Sequence, residues 1–163
     1  MFKCYSALME IVGTYMSEEA APSRRRGLII VNTGHGKGKT TAALGVLLRA
    51  WGRDMKVTML QFVKAETGNW GENRAARKMG IELITLGAGF TWLSNDIERD
   101  KTLARECWEL GKVRILSGDY DIVVLDEFTY PINYGWISMA EVADALQHRP
   151  SHVHVIITGR DAP

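Results

Sequence analysis

The chain has 163 residues, 24% of them charged, and a formal net charge of +1, so it is long enough for one well-packed domain and lacks the basic excess expected of a nucleic-acid binder. Its two cysteines, Cys4 and Cys107, stand far apart with no CxxC or Cys/His spacing, which argues against a disulfide framework or structural zinc and fits a reduced, cytoplasmic setting. No apolar run approaches a membrane span, and the opening residues 1–16 are interrupted by Glu10 without a clean cleavage site, so neither a membrane association nor a secretory leader is expected.

Residues 17–26 combine Glu, Ala, Pro and Ser with three consecutive arginines, a composition that predicts a solvated linker. They separate an amino-terminal extension, residues 1–26, from a domain expected over residues 27–163. Leu28, Ile29, Ile30 and Val31 predict a strand that runs into a glycine-rich turn, and residues 40–51 predict a helix. The alternation continues with a strand at 56–62, a helix at 72–79 and a strand at 81–86. A longer helix is expected over 97–116, where Leu103, Cys107, Leu110 and Val113 recur at helical spacing. A buried strand at 121–125, a helix at 138–147 and a strand at 153–158 complete the pattern. This is the α/β class, with a mostly parallel sheet and helices on both faces.

The strongest local pattern is Thr33-Gly34-His35-Gly36-Lys37-Gly38-Lys39-Thr40-Thr41, between a predicted strand and a predicted helix. It is a phosphate-binding loop in which Thr33 takes the place of the first glycine. Gly34, Gly36 and Gly38 let the backbone curl so that its N–H groups converge on phosphate oxygens, with the positive end of the helix dipole behind them. Lys37 and Thr41 are expected to complete the cradle, His35 either touches phosphate or points to solvent, Lys39 adds a full charge, and Thr40 offers a hydroxyl to Mg²⁺. Farther on, Ile122-Val123-Val124-Leu125 delivers Asp126 and Glu127 to the carboxyl end of a strand, where open α/β sheets bind their ligands. Asp126 is expected to reach the metal directly or through water, and Glu127 to ligate it or orient a reacting group. These features give nucleotide binding in a P-loop fold, expected to be RecA-like, and leave kinase, motor, switch and transferase equally open.

Longer blocks narrow the choice. Gly36-Lys37-Gly38-Lys39-Thr40-Thr41-Ala42-Ala43-Leu44-Gly45, Gln61-Phe62-Val63-Lys64, Gly89-Phe90-Thr91-Trp92, Val124-Leu125-Asp126-Glu127 with Thr129-Tyr130, and Ile156-Ile157-Thr158-Gly159-Arg160 occur in that order. Together they resemble the CobA/CobO/BtuR-type corrinoid adenosyltransferases from about Gly27 to Arg160. The resemblance implies transfer of the 5′-deoxyadenosyl group of ATP to the Co(I) of a reduced corrinoid, with release of triphosphate, Mg²⁺ as cofactor, an electron donor for cobalt and a homodimer. It also implies that Arg160 contacts the polyphosphate and that Phe90 and Trp92 lie against the lower corrinoid face. Without it, two aromatics at that spacing read as core.

The chain departs from the family pattern in residues 1–26, and relatives usually continue for some tens of residues past Thr158-Gly159-Arg160. Two other readings remain: a RecA-like ATPase, in which Glu127 would activate water, and a non-catalytic nucleotide- or corrinoid-binding protein. His152 and His154 share a strand face without a third ligand and read as satisfied or exposed histidines. Trp51, Trp108 and Trp136 read as packing residues.

Overall fold

The computed structural model of the chain describes residues 26–64, 69–87 and 96–163. Strands and helices alternate as β1 (Ile29–Asn32), α1 (Lys39–Trp51), β2 (Val57–Gln61), α2 (Gly71–Met79), β3 (Glu82–Thr85), α3 (Ile97–Ser117), β4 (Ile122–Asp126), α4 (Thr129–Asn133), α5 (Met139–His148) and β5 (His154–Thr158). The strands form one sheet in the order β1-β5-β4-β2-β3, and every neighbouring pair is parallel. The α/β expectation with helices on both faces is met. β5, last in the chain, lies between the strand that precedes the glycine loop and the strand that ends in Asp126.

Successive side chains point to opposite faces, so each strand feeds two cores. On one face Met59, Ile122, Val124 and Ile156 pack with Ala43, Leu47 and Ala50 of α1 and Ala76 of α2. On the other, Leu60, Val123, Leu125, Val155 and Ile157 pack with Cys107, Trp108 and Ile115 of α3 and Val142 and Ala145 of α5. β2 and β4 are buried along their whole length, as interior parallel strands should be. β1 sits at the sheet edge, and its Ile29 and Val31 are exposed.

Local chemistry sets the helix boundaries. Asp96 accepts from the Arg99 amide at 3.0 Å and begins α3. Ser138 accepts from the Glu141 amide at 3.2 Å and begins α5 in a Ser-x-x-Glu pattern. Glu141 then reaches across to α3, accepting from Trp108 Nε1 at 2.7 Å and from Arg105 at 2.9 Å.

Two expectations need correction. The single turn α4 occupies a stretch where no element was predicted, because five residues with Pro131 inside them carry no readable helical period. Trp108 is fully buried, but Trp51 is 40% exposed on the last turn of α1, so it is not a core packing residue. Leu28 N donates to His154 Nδ1 at 3.1 Å, and His152 Nε2 pairs with the Gly118 carbonyl at 3.1 Å, as expected of satisfied histidines. Among the described residues no helix is long and apolar enough to cross a membrane.

Candidate functional site

Parallel strands bring their carboxyl ends to one side, and register then decides which residues meet there. Gln61 pairs with Asp126 across β2 and β4, and Leu125 pairs with Ile157 across β4 and β5. Gln61, Asp126 and Thr158 therefore emerge together, and α1 begins beside them after the glycine loop.

Asp126 is wholly buried and accepts four hydrogen bonds. Its Oδ1 receives Thr40 Oγ1 at 2.8 Å and Thr158 Oγ1 at 2.7 Å. Its Oδ2 receives Gln61 Nε2 at 3.1 Å and Lys64 Nζ at 3.3 Å. A buried carboxylate is costly unless its lone pairs are used, and here both oxygens are filled. Thr85 donates to Gln61 Oε1 at 3.0 Å and Asn73 donates to Thr85 at 2.8 Å, which carries the network to β3 and α2.

Lys64 also pairs with Glu72 at 2.6 Å. Burial alone would lower its proton affinity, but the charges of Asp126 and Glu72 outweigh that and hold the ammonium above its ordinary value. Glu72 is likewise penalised by burial, yet the Lys64 hydrogen bond keeps its carboxyl below the ordinary glutamate value.

The Glu127 side chain stands apart from this network, although its backbone joins it. Its backbone is left-handed, with φ of 59°, and its N–H donates to Thr158 Oγ1 at 2.9 Å. The same hydroxyl thus donates to Asp126 and accepts from Glu127. Glu127 Oε2 is buried with no hydrogen-bond partner among the described residues. Burial first, and then the charge of Asp126, push its carboxyl above the ordinary glutamate value against the pull of Lys39, Lys64 and Arg160. The Thr129 hydroxyl is also buried without a partner among the described residues, and a Cβ on Gly159 would overlap it, so the close approach of the end of β5 to α4 requires glycine there.

The loop before α1 wraps around its own lysine. Gly34 and Gly38 have φ of 111° and 101°, and the carbonyls of Gly34 and Gly36 each accept from Lys39 Nζ at 2.6 Å. These are weak neutral acceptors compared with a phosphate oxygen, so the ammonium is poised to exchange them for an anion. His35 lies 3.4 Å from Asp161, and the Ala162 amide donates to Thr33 Oγ1 at 3.3 Å. Asn133 of α4 donates to the carbonyls of Arg160 and Asp161 at 3.3 and 3.1 Å. Arg160 is thereby held at the same end of the sheet as the loop, while Lys37 and Thr41 remain exposed.

Of the residues expected in the site, the geometry brings together Lys39, Thr40, Asp126, Glu127 and Arg160 with the loop from Gly34 to Gly38. Phe90 and Trp92 lie outside the described residues. Lys64, Gln61 and Thr158 were not singled out as site residues, although each lies in one of the ordered blocks.

The family profile described as "ATP:corrinoid adenosyltransferase BtuR/CobO/CobP" matches residues 25–163. The chain belongs to the ATP:corrinoid adenosyltransferase family. The corrinoid adenosyltransferase of Escherichia coli (strain K12) is 44% identical over 137 residues, which span 83% of this chain and 68% of the relative. The corrinoid adenosyltransferase CobA of Salmonella typhimurium is 43% identical over 143 residues, or 86% of this chain and 71% of the relative. That of Pseudomonas aeruginosa is 35% identical over 157 residues, or 94% and 77%. These three relatives are all named corrinoid adenosyltransferases, in keeping with the family that the ordered blocks resemble.

Proposed function

We propose that this chain transfers the 5′-deoxyadenosyl group of ATP to the Co(I) of a corrinoid and releases triphosphate. The observation that carries the reading is a phosphate loop built onto a saturated carboxylate network in a chain that matches the adenosyltransferase family over residues 25–163. Co(I) supplies the electron pair that forms the cobalt–carbon bond at C5′. The C5′–O5′ bond breaks, and the triphosphate leaves with its electrons. No protein nucleophile is needed, because the corrinoid brings its own.

The protein's work is then to hold and stabilise the leaving group. Lys39 exchanges the Gly34 and Gly36 carbonyls for phosphate oxygens. The amides of residues 34–41, with His35 and Lys37, line the polyphosphate, and Arg160 approaches from the β5 side. The residues present fit Mg²⁺: Thr40 offers a hydroxyl, and Glu127 Oε2 is a buried acceptor without a donor. When bound, the ion neutralises charge that grows on the departing triphosphate. Thr40 and Glu127 would hold it, with Asp126 acting behind Thr40 because its own oxygens already accept four donors. Phe90 and Trp92 are assigned to the lower corrinoid face, an electron donor reduces cobalt, and the enzyme works in the cytoplasm as a homodimer.

The test is anaerobic mixing of the chain with Mg-ATP and a chemically reduced cob(I) corrinoid, following the visible spectrum and the phosphate products. Light-sensitive adenosylcorrinoid with intact triphosphate is expected. One observation favours a second reading: the raised proton affinity of Glu127 suits a base that activates water in an ATPase. ADP accumulation without an adenosyl product would establish that reading and refute the first.

A further inference from the structure

Lys64 follows β2 on a backbone that the sheet holds in place. Phe62 N donates to the Asp126 carbonyl at 3.1 Å, and Leu86 N donates to the Gln61 carbonyl at 3.1 Å. A Cβ on Gly87 would lie 2.5 Å from the Lys64 carbonyl, so the chain leaving β3 presses directly against it. From that anchored position the side chain, 16% exposed, sets its ammonium between two carboxylates, 3.3 Å from Asp126 and 2.6 Å from Glu72. The centre of the Trp70 ring lies 5.8 Å from the same nitrogen.

The four donors to Asp126 are not alike. Thr40, Thr158 and Gln61 are neutral, and among the described residues Lys64 alone pairs a charge with this carboxylate. A buried anion ringed by neutral dipoles attracts a divalent ion strongly, whereas one already paired with a fixed ammonium attracts it far less. The ammonium is well kept, because Glu72 holds it from the other side and the two carboxylates together raise its proton affinity against burial. Oδ1 of Asp126 receives Thr40 and Oδ2 receives Lys64, so a divalent ion approaching Thr40 meets a positive charge behind the same carboxylate. A triphosphate brings enough negative charge to reverse that balance, and bare Mg²⁺ brings none.

We infer that Lys64 is a positioning residue for the nucleotide's metal: as the built-in counter-ion of Asp126, it makes Mg²⁺ enter with the polyphosphate rather than alone. The inference rests on the phosphate and metal site proposed above. With its charge answered from inside, Asp126 keeps its bond to Thr40 and leaves the ion to the hydroxyl, Glu127 and phosphate oxygens.

The test measures binding of MgCl₂ alone, without nucleotide or corrinoid, by titration calorimetry and by the thermal unfolding midpoint. It compares the full chain with its Lys64→Gln and Lys64→Arg variants. In the wild-type chain MgCl₂ should leave the midpoint where KCl of equal ionic strength leaves it, whereas Mg-ATP should raise it. Lys64→Gln removes the charge and should bind bare Mg²⁺ at least about tenfold more tightly than the wild type, as expected for removing a like charge close to a divalent ion. Lys64→Arg keeps the charge and should behave as the wild type. If Lys64→Gln is unfolded in metal-free buffer, MgCl₂ and not KCl should refold it. The inference is overturned by bare Mg²⁺ bound to the wild type as tightly as in the presence of ATP, by a Lys64→Gln affinity no higher than the wild type's, or by an unfolded variant that Mg²⁺ does not rescue. A chain that behaves as expected here yet forms no adenosylcorrinoid refutes the transfer reading alone. One that forms adenosylcorrinoid but fails these metal tests refutes this inference alone.

Discussion

Replacing Thr158 with valine tests whether the buried network is as tightly coupled as its distances imply. The side chains are nearly isosteric, but valine removes a hydroxyl that donates to Asp126 at 2.7 Å and accepts from the Glu127 amide at 2.9 Å. Losing a hydrogen bond to a charged acceptor costs about 1.5–3 kcal/mol, and orphaning a buried amide costs about 1–3 kcal/mol. The added methyl returns about 0.8 kcal/mol. The expected net loss is therefore about 2–5 kcal/mol. Thr158→Ser keeps the hydroxyl and should cost only about 1 kcal/mol, for one lost methyl. Urea unfolding of the ligand-free protein, read as a change in midpoint at constant slope, measures both. Equal stability of the valine and serine variants would refute the reasoning, because the hydroxyl would then be dispensable.

Four further outcomes follow from the same geometry. Lys39→Ala should lower kcat/KM for ATP by about 10²–10³-fold in the adenosylation assay, since it removes the charge proposed to stabilise the leaving group. Lys64→Met should destabilise the fold by about 3 kcal/mol or more in urea titration, because it strands the fully buried Asp126 with one donor fewer. Glu127→Gln should stabilise the ligand-free protein at neutral pH: a carboxyl raised by folding contributes stability that is present at low pH and lost as pH rises through its folded value, so the variant's advantage should vanish on acidification. Calorimetric scans across pH check this, while Mg-ATP affinity should fall in the same variant. Burial pushes the Cys107 thiol up to about 12, so mass-detected alkylation should leave Cys107 unmodified in the native chain and modify it only on unfolding.

What could be read in advance was whatever is local in sequence. The glycine loop, the strand before it and the helix after it are contiguous, and Asp126 and Glu127 end an apolar run, so spacing alone placed them. The alternation of strands and helices gave the parallel sheet for the same reason. The order of strands did not follow, because β5 inserts between β1 and β4 from the far end of the domain, and no local period records that.

The consequence falls on the site's chemistry. Asp126 looks in sequence like a carboxylate free to take a metal, yet strand order surrounds it with Gln61 and Lys64 from β2 and its loop, Thr158 from β5 and Thr40 from α1. An ion that touched Asp126 directly would have to displace one of four donors from a buried anion. Glu127, one residue later, is turned by its left-handed backbone out of that ring and keeps an oxygen without a partner. The two adjacent acids thus differ in their surroundings, one saturated with donors and the other with an oxygen that meets no donor among the described residues, and only the pairing of β4 with β2 and β5 makes the difference visible.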